Sequence, residues 1–234
     1  MKTVLEAKNV WKIYDTGSNK VEALRDVSVS INEGEMVAVM GPSGCGKTTF
    51  LNCISGLDDL TGGEVIVDNS SLFGGGDEER TRLRAEHFGF IFQDFNLLPV
   101  LTALENVEMP LQLVRSDDNR KMIRKKATEA LESVGLKEWS GHRPSELSGG
   151  QQQRVTIARA FVHKPAVILG DEPTGNLDSK TSSQILDLLF EFNSKYGITM
   201  LIVTHDPEVA KRCTRVLEMD DGRIVSDYSN SEEE

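Results

Sequence analysis

The sequence predicts an α/β fold in which a parallel core sheet is preceded by an antiparallel β subdomain and interrupted by an inserted α-helical subdomain. Three observations lead to this prediction. Short strand-like segments separated by polar turns occupy residues 4–7, 11–14, 27–31 and 64–68. Continuous apolar runs, which are typical of strands buried on both faces, lie at residues 88–92, 166–169 and 199–203. Helical patterns dominate residues 97–162.

The spacing of apolar residues predicts individual helices over residues 103–113, 120–134 and 151–161. The Asp220-Asp221-Gly222 run lies between strand-like segments and predicts a closing β-hairpin. Gly74-Gly75-Gly76 is predicted to be a flexible surface connection, and residues 229–234 an acidic disordered tail. We expect a single domain over residues 1–234, with a core formed by residues 1–95 and 163–234 and a helical subdomain at residues 96–162.

Composition excludes several classes of protein. Hydrophobic residues make up 38% of the 234 residues and charged residues 27%, as in an ordinary globular chain. No apolar run approaches the ~20 residues of a membrane helix, and the first ten residues lack a signal-peptide core, so we expect a cytoplasmic protein. The net charge of −11 disfavours nucleic acid as a partner. The three cysteines lack CxxC spacing and predict reduced thiols.

Residues 41–48 read GPSGCGKT and fit the GxxxxGK[ST] phosphate-binding loop. They follow the strand-like run MVAVM and precede a helix start, which is the context that this motif requires. Glycines let the backbone approach phosphate oxygens, and the helix adds unpaired N–H groups. Lys47 is suited to contact the β and γ phosphates and Thr48 to bind Mg²⁺. A Gly-rich turn with an unrelated lysine is the alternative. The predicted nucleotide-binding residues here are Gly41, Pro42, Ser43, Gly44, Cys45, Gly46, Lys47, Thr48 and Thr49.

Two acids, Asp171 and Glu172, follow the apolar run at residues 167–170. The carboxyl end of such a strand is where open α/β sheets bind ligands. Because successive strand residues point in opposite directions, the two acids have different roles: Asp171 is suited to hold Mg²⁺, and Glu172 to orient or deprotonate an attacking water. Alone, the pair could simply begin a helix. Together with the phosphate loop, it predicts hydrolysis of a nucleoside triphosphate.

Further residues follow predicted strands in a recognisable order. Gln93 follows residues 89–92, Asp178 lies in the run Asn176-Leu177-Asp178-Ser179, and His205 follows residues 201–204. With Tyr14 near the N-terminus, they make the chain similar over nearly its whole length to the nucleotide-binding subunits of ABC transporters. The resemblance implies a RecA-like P-loop NTPase fold, ATP and Mg²⁺ as cofactors, and conversion of ATP and water to ADP and phosphate.

The same resemblance implies roles for these residues. Tyr14 would stack on adenine, and His205 would act in catalysis as the switch histidine. Gln93 would join Thr48 and Asp171 at the metal and would also communicate with a membrane partner.

The run LSGGQ at residues 147–151 is the most specific motif. It could be no more than a serine-capped helix start. However, two glycines there cost about 1 kcal/mol each relative to alanine, which favours close approach of a phosphate. The resemblance implies that the motif, with Asp178, contacts ATP bound to a second, opposed subunit. ATP would then hold together a homodimer, or a dimer with a homologous partner. The residues expected to act in trans are Leu147, Ser148, Gly149, Gly150, Gln151 and Asp178.

The runs FQDFNLLP at residues 92–99 and LTALENV at residues 101–107 resemble the LolD/MacB/FtsE-type subfamily. This resemblance implies a separate integral membrane permease subunit and a peripheral position on the cytoplasmic face of the inner or plasma membrane. Export, lipoprotein extraction and transmission of force across the membrane all remain open. The alternatives are a soluble ABC ATPase of an assembly complex and a regulatory complex of the cell-division type.

Overall fold

A computed structural model describes residues 2–230 of the protein, apart from residues 16, 18 and 115–117. It contains strands β1 to β10 and helices α1 to α7, together with two short 3₁₀ helices at Lys137–Trp139 and Pro144–Glu146. In chain order the elements are β1 (Thr3–Asp15), β2 (Lys20–Asn32), β3 (Met36–Met40), α1 (Lys47–Ile54), β4 (Gly62–Val67), β5 (Ser70–Ser71), α2 (Gly76–His87), β6 (Phe88–Phe92), α3 (Ala103–Leu113), α4 (Arg120–Ser133), α5 (Gly149–Phe161), β7 (Val167–Asp171), α6 (Ser179–Tyr196), β8 (Met200–Val203), α7 (Pro207–Arg212), β9 (Arg215–Asp220) and β10 (Arg223–Ser229).

The N-terminal strands form an antiparallel sheet with the order β2-β1-β4-β5. The two short strands predicted at residues 4–7 and 11–14 are wrong as separate elements, because both belong to the single strand β1. Its pairing with β2 is irregular between Ala7 and Val10, where Asn9 has a φ of 48°. A bulge of this kind interrupts the alternation of apolar residues without ending the strand.

The second sheet has the order β10-β9-β3-β8-β7-β6, and only β10 is antiparallel to its neighbour. Strand β6 has the predicted bounds, and the parallel core of the predicted fold is confirmed. Phe92 pairs with Asp171, and Asp171 pairs with Val203, so the carboxyl ends of three strands meet at one edge. The predicted hairpin is also found, with Asp221 and Gly222 as its turn.

Helices α3, α4 and α5 pack together around Val107, Leu131 and Ile157, which are at most 1% exposed. They fall within the range predicted as a helical subdomain, although the division of the chain at residues 95 and 163 stays a prediction. In the described residues, no helix is both long and apolar enough to cross a bilayer.

Three helices, α2, α6 and α7, were not predicted. Gly76 begins α2, where a flexible connection had been expected. Only Leu83 is buried in α2, so its sequence carries no apolar period; ion pairs from Arg82 to Glu79 and Glu86 support it instead. The predicted acidic tail is wrong at Ser229, which ends β10, and residues 231–234 lie outside the described residues.

Candidate functional site

A pocket of about 760 Å³ opens at the carboxyl edge of the parallel strands. Its walls include Tyr14, the phosphate loop, Glu172 and His205, residues that are far apart in the sequence. Its volume lies within the roughly 300–1,000 Å³ of typical ligand pockets. The structure therefore brings most of the predicted nucleotide-binding residues to one place.

The phosphate loop is closely packed by backbone from distant parts of the chain. Gly46, immediately before α1, has a φ of 106°, and a Cβ there would lie 2.5 Å from the Ala23 carbonyl oxygen. A Cβ at Gly41 would overlap the Met219 carbonyl oxygen. Only glycine fits these two positions, so the loop holds its shape at the N-terminus of α1, where N–H groups attract anions.

The Lys47 ammonium belongs to the same loop. It is 9% exposed and donates hydrogen bonds of 2.8 Å to the carbonyl oxygens of Gly41 and Pro42. These bonds fix a positive charge inside the pocket wall. Lys47 is therefore placed to meet an anionic ligand without a search through side-chain conformations.

The acidic pair lies at the end of β7. Burial raises the pKa of Asp171, and the charge of Glu172 raises it further, whereas the Thr48 side chain and the Lys47 ammonium lower it. Thr48 and Asp171 are thus close neighbours that offer the oxygen ligands preferred by Mg²⁺. In the described part of the chain, no group of three or more His, Cys, Asp or Glu side chains could hold a metal. A site of few protein ligands suits Mg²⁺, which is usually held by one or two carboxylates and substrate phosphates.

Glu172 and His205 form a pair at the pocket wall. His205 Nδ1 lies 3.0 Å from Glu172 Oε1. Glu172 has a φ of 45°, and its N–H donates to the Val203 carbonyl oxygen at 2.9 Å. A left-handed backbone in a residue with a long side chain is strained and clusters at functional sites. This backbone conformation directs the Glu172 carboxylate away from the direction of the strand and toward His205.

Tyr14 is 39% exposed at the mouth of the pocket. Its hydroxyl donates to Asp58 at 2.7 Å, and the Lys12 ammonium lies 4.8 Å from its ring centroid. Lys12 also donates to Asp58, at 2.6 Å. The sequence did not predict this cluster, which fixes the orientation of a ring predicted to stack on a base.

Gln93 lies just beyond β6 and does not line the pocket. Its side-chain amide donates to Asn176 at 3.2 Å, and Asn176 donates to the Gln93 carbonyl oxygen and to Asp94. In the sequence, Asn176 is identified only as part of the run Asn176-Leu177-Asp178-Ser179. The structure gives it a contact that joins the segments after β6 and β7.

The LSGGQ motif starts α5. Ser148 accepts from the Gln151 N–H at 3.3 Å, and Gln151 accepts from the Ser148 N–H at 2.9 Å, so the serine cap considered as the alternative is present. A Cβ at Gly150 would lie 2.5 Å from Thr181 Cγ2, which is a reason within the chain for glycine there. Although all five motif residues are described, none lines the phosphate-loop pocket.

Asp178 caps α6 outside the pocket lining. It accepts from the N–H groups of Lys180 and Thr181 at 3.1 Å each, and from the Thr181 hydroxyl at 2.6 Å. The hydroxyl bond is the main reason why the pKa of Asp178 is lowered. Its position in the described chain is explained by capping, and a role in trans needs a second molecule.

A glycine-bounded loop that faces a fixed ammonium, with an acidic pair at the end of β7, which is separated from β3 only by β8, is suited to bind and cleave a phosphoanhydride. These features place the protein in the class of P-loop nucleoside triphosphatases. The family model described as ABC transporter matches residues 24–175. The uncharacterized ABC transporter ATP-binding protein MJ1508 of Methanocaldococcus jannaschii is 48% identical over 222 residues, which are 95% of this chain and 98% of that relative.

Two further comparisons agree. The lipoprotein-releasing system ATP-binding protein LolD of Alcanivorax borkumensis is 47% identical over 221 residues, or 94% of this chain and 96% of the relative. A solved dimeric structure of the ATP-binding cassette MJ0796, in a post-hydrolysis state bound to ADP and Pi, has a TM-score of 0.88 at 44% identity and covers 97% of this chain and 99% of that one. The chain belongs to the ABC transporter family, and it is a subunit that binds and hydrolyses ATP.

Proposed function

We propose that this ATPase subunit uses Mg²⁺, closes as an ATP-sandwiched homodimer, and drives a separate integral membrane permease subunit from the cytoplasmic face of the inner or plasma membrane. One observation carries the proposal. The pocket contains the phosphate loop and the Glu172–His205 pair but none of the LSGGQ residues of the same chain. A second molecule is needed to bring that motif to the phosphates.

Thr48 in the pocket wall and Asp171 beside it would hold Mg²⁺, and Gln93 would complete the site from the end of β6. The metal supplies positive charge that offsets charge developing on the phosphate oxygens. The neighbouring Thr48 and Asp171 oxygens support this assignment. Lys47 would contact the β and γ phosphates, and the ring of Tyr14 would stack on adenine.

Hydrolysis follows from the position of Glu172. Its carboxylate orients a water and takes a proton from it as the water oxygen attacks the γ phosphorus. The bond from that phosphorus to the bridging oxygen breaks, which leaves ADP and phosphate. His205 holds the Glu172 carboxylate through Nδ1 and thereby fixes the direction of attack.

Replacement of His205 by alanine tests this role. We expect turnover to fall about tenfold or more, as for other groups that orient a catalytic ligand, while thermal stability stays near that of the wild type because the side chain is 71% exposed. Steady-state ATPase assays and thermal unfolding measure the two effects. His87→Ala is the control, a histidine outside the pocket lining. Wild-type turnover in His205→Ala would exclude the role.

The homodimer would place the Ser148 end of α5 against ATP held by the other copy. Ser148 is exposed at the N-terminus of that helix, where its hydroxyl and the backbone N–H groups of the first helical turn can meet a γ-phosphate. The Asp178 end of α6 would lie at the same interface. The dimeric MJ0796 structure supports this arrangement through a relative of nearly equal length.

A groove of about 250 Å³ between α2, α3 and α5 is the surface that we assign to the permease. Its walls include the apolar side chains of Phe90, Met109 and Leu113, and Leu113 is 67% exposed. A short amphipathic helix from the cytoplasmic side of a membrane protein fits such a groove. The relation to LolD, which belongs to a lipoprotein-releasing system, supports a membrane partner.

Leu113→Asp is expected to abolish copurification with the membrane partner in detergent, because it buries an unpaired charge in the interface. The control is Val225→Asp, which changes a residue of similar exposure, 61%, on β10. The basal ATPase activity of both variants should match that of the wild type. Equal recovery of a membrane protein by both variants would contradict the groove assignment. Copurification of a soluble scaffold alone would favour the assembly ATPase instead.

A further inference from the structure

Helix α5 reaches two loops at the catalytic edge of the sheet. Gln153 is fully buried and donates to the Pro173 carbonyl oxygen, one residue beyond Glu172. Arg159, nearly two turns further along, donates to the carbonyl oxygens of Asn96 at 2.6 Å and Phe95 at 3.0 Å. The helix that begins at the LSGGQ motif therefore contacts the segments after both β6 and β7.

Arg159 is an unusual choice for a packing residue. It is 8% exposed. Burial lowers the pKa of its guanidinium to about 10, and no carboxylate of the described residues offsets that shift. A buried charge is costly unless it is well bonded, and an apolar side chain of similar volume often packs there at no loss of stability. Hydrogen bonds to the two carbonyl groups thus offset the cost of burying the Arg159 guanidinium.

These two carbonyls belong to a strained turn. Phe95 has a φ of 61° and Asn96 a φ of 49°, both in the left-handed region that side chains rarely adopt. Gln93 lies two residues before this turn. A planar guanidinium can bind both carbonyl oxygens at once, so it can hold the turn in a shape that the backbone alone disfavours.

We propose that Arg159 is a positioning residue for ATP hydrolysis, which holds the Phe95–Asn96 turn so that Gln93 is presented to the metal site. The inference rests on the proposed role of Gln93 at that site. Arg159 and Ser148 lie on one helix. The hydrogen bonds from Arg159 to the turn therefore also keep Gln93 at a fixed distance from the Ser148 end of α5, which would contact the other copy's ATP.

Arg159→Met tests this inference, and Arg154→Met is its matched control. Arg154 lies on the same helix and also donates to a backbone carbonyl, that of Val134, at 3.1 Å. We expect Arg159→Met to lower kcat by roughly 10- to 100-fold while the Kd for ATP stays unchanged. Amide hydrogen exchange at residues 93–96 should accelerate in Arg159→Met and not in Arg154→Met. Wild-type exchange and kcat in Arg159→Met would overturn the proposal.

A double-mutant cycle separates positioning from general destabilisation. In a Gln93→Ala background, which lowers kcat by itself, Arg159→Met should cause no further loss; losses that multiply would overturn the inference and leave the role of Gln93 intact. Wild-type kcat in Gln93→Ala alone would instead refute that role, and the inference with it. Should Arg159→Met not fold, Arg159→Lys serves in the same cycle, because an ammonium keeps the charge but lacks the planar fork.

Discussion

Glu172→Gln is expected to lower ATP turnover by roughly 10²- to 10⁴-fold, the range lost when a general base is removed. Glutamine has nearly the same shape and can still bond with His205, which lies 3.0 Å from the carboxylate in the native chain. It cannot take up the proton of the attacking water. The phosphate loop and Lys47 are unchanged, so ATP binding should persist.

The variant should therefore accumulate an ATP-bound dimer, which gel filtration with MgATP would detect. Adding Ser148→Arg should return it to a monomer, because a bulky cation would occupy the helix end assigned to the other copy's γ-phosphate. Ser145→Arg is the matched control, an exposed serine three residues earlier. A monomeric Glu172→Gln protein in the presence of ATP would contradict the sandwich arrangement.

Lys47→Ala should instead weaken nucleotide binding itself. Charge-assisted hydrogen bonds are worth about 1.5–3 kcal/mol, which corresponds to a loss of affinity of roughly 10- to 150-fold. The substitution also removes the donor shared by the Gly41 and Pro42 carbonyl groups, so the loop becomes less rigid. Equilibrium titration with a fluorescent ATP analogue measures the change.

The control for this titration is Lys121→Ala, which changes an exposed lysine on α4. Because the loop is held by backbone packing at Gly41 and Gly46 as well, Lys47→Ala should remain folded. An unchanged Kd for ATP in a folded Lys47→Ala protein would show that the ammonium does not contact the phosphates.

The sequence predicted those features whose causes are local. The phosphate loop could be identified because its glycines and lysine lie within eight residues, between a strand and a helix. The Ser148 cap and the Asp221-Gly222 turn were equally accessible, since each depends on side chains and dihedral angles of neighbouring residues. Continuous apolar runs gave the core strands because a doubly covered sheet needs them.

Contacts over long distances in the sequence could not be predicted in this way. Nothing near Phe95 indicates that Arg159, more than sixty residues later, would bind its carbonyl oxygen. The partnership of Gln93 with Asn176 depends on the pairing of β6 with β7. Helix α2 was missed because ion pairs, rather than an apolar stripe, support it.

The glycines of LSGGQ show how a correct motif can have more than one cause. In the sequence, these glycines indicate close approach of a phosphate. The structure adds that a Cβ at Gly150 would press on Thr181 of α6. Substitution at Gly150 would thus disturb the packing of α5 against α6 as well as any ligand. A lost activity there would not by itself identify a phosphate contact.

The C-terminal hairpin completes the phosphate loop. The Gly222 N–H donates to the Cys45 carbonyl oxygen at 2.9 Å, and the Arg25 N–H donates to the Gly222 carbonyl oxygen at 2.8 Å. The loop is thus translated well before one of its walls. At ordinary rates of elongation, the ribosome needs on the order of tens of seconds to synthesise the chain between the phosphate loop and the hairpin. The wall that the hairpin supplies is therefore present only after Gly222 has been translated, and a chain truncated before Gly222 would lack it.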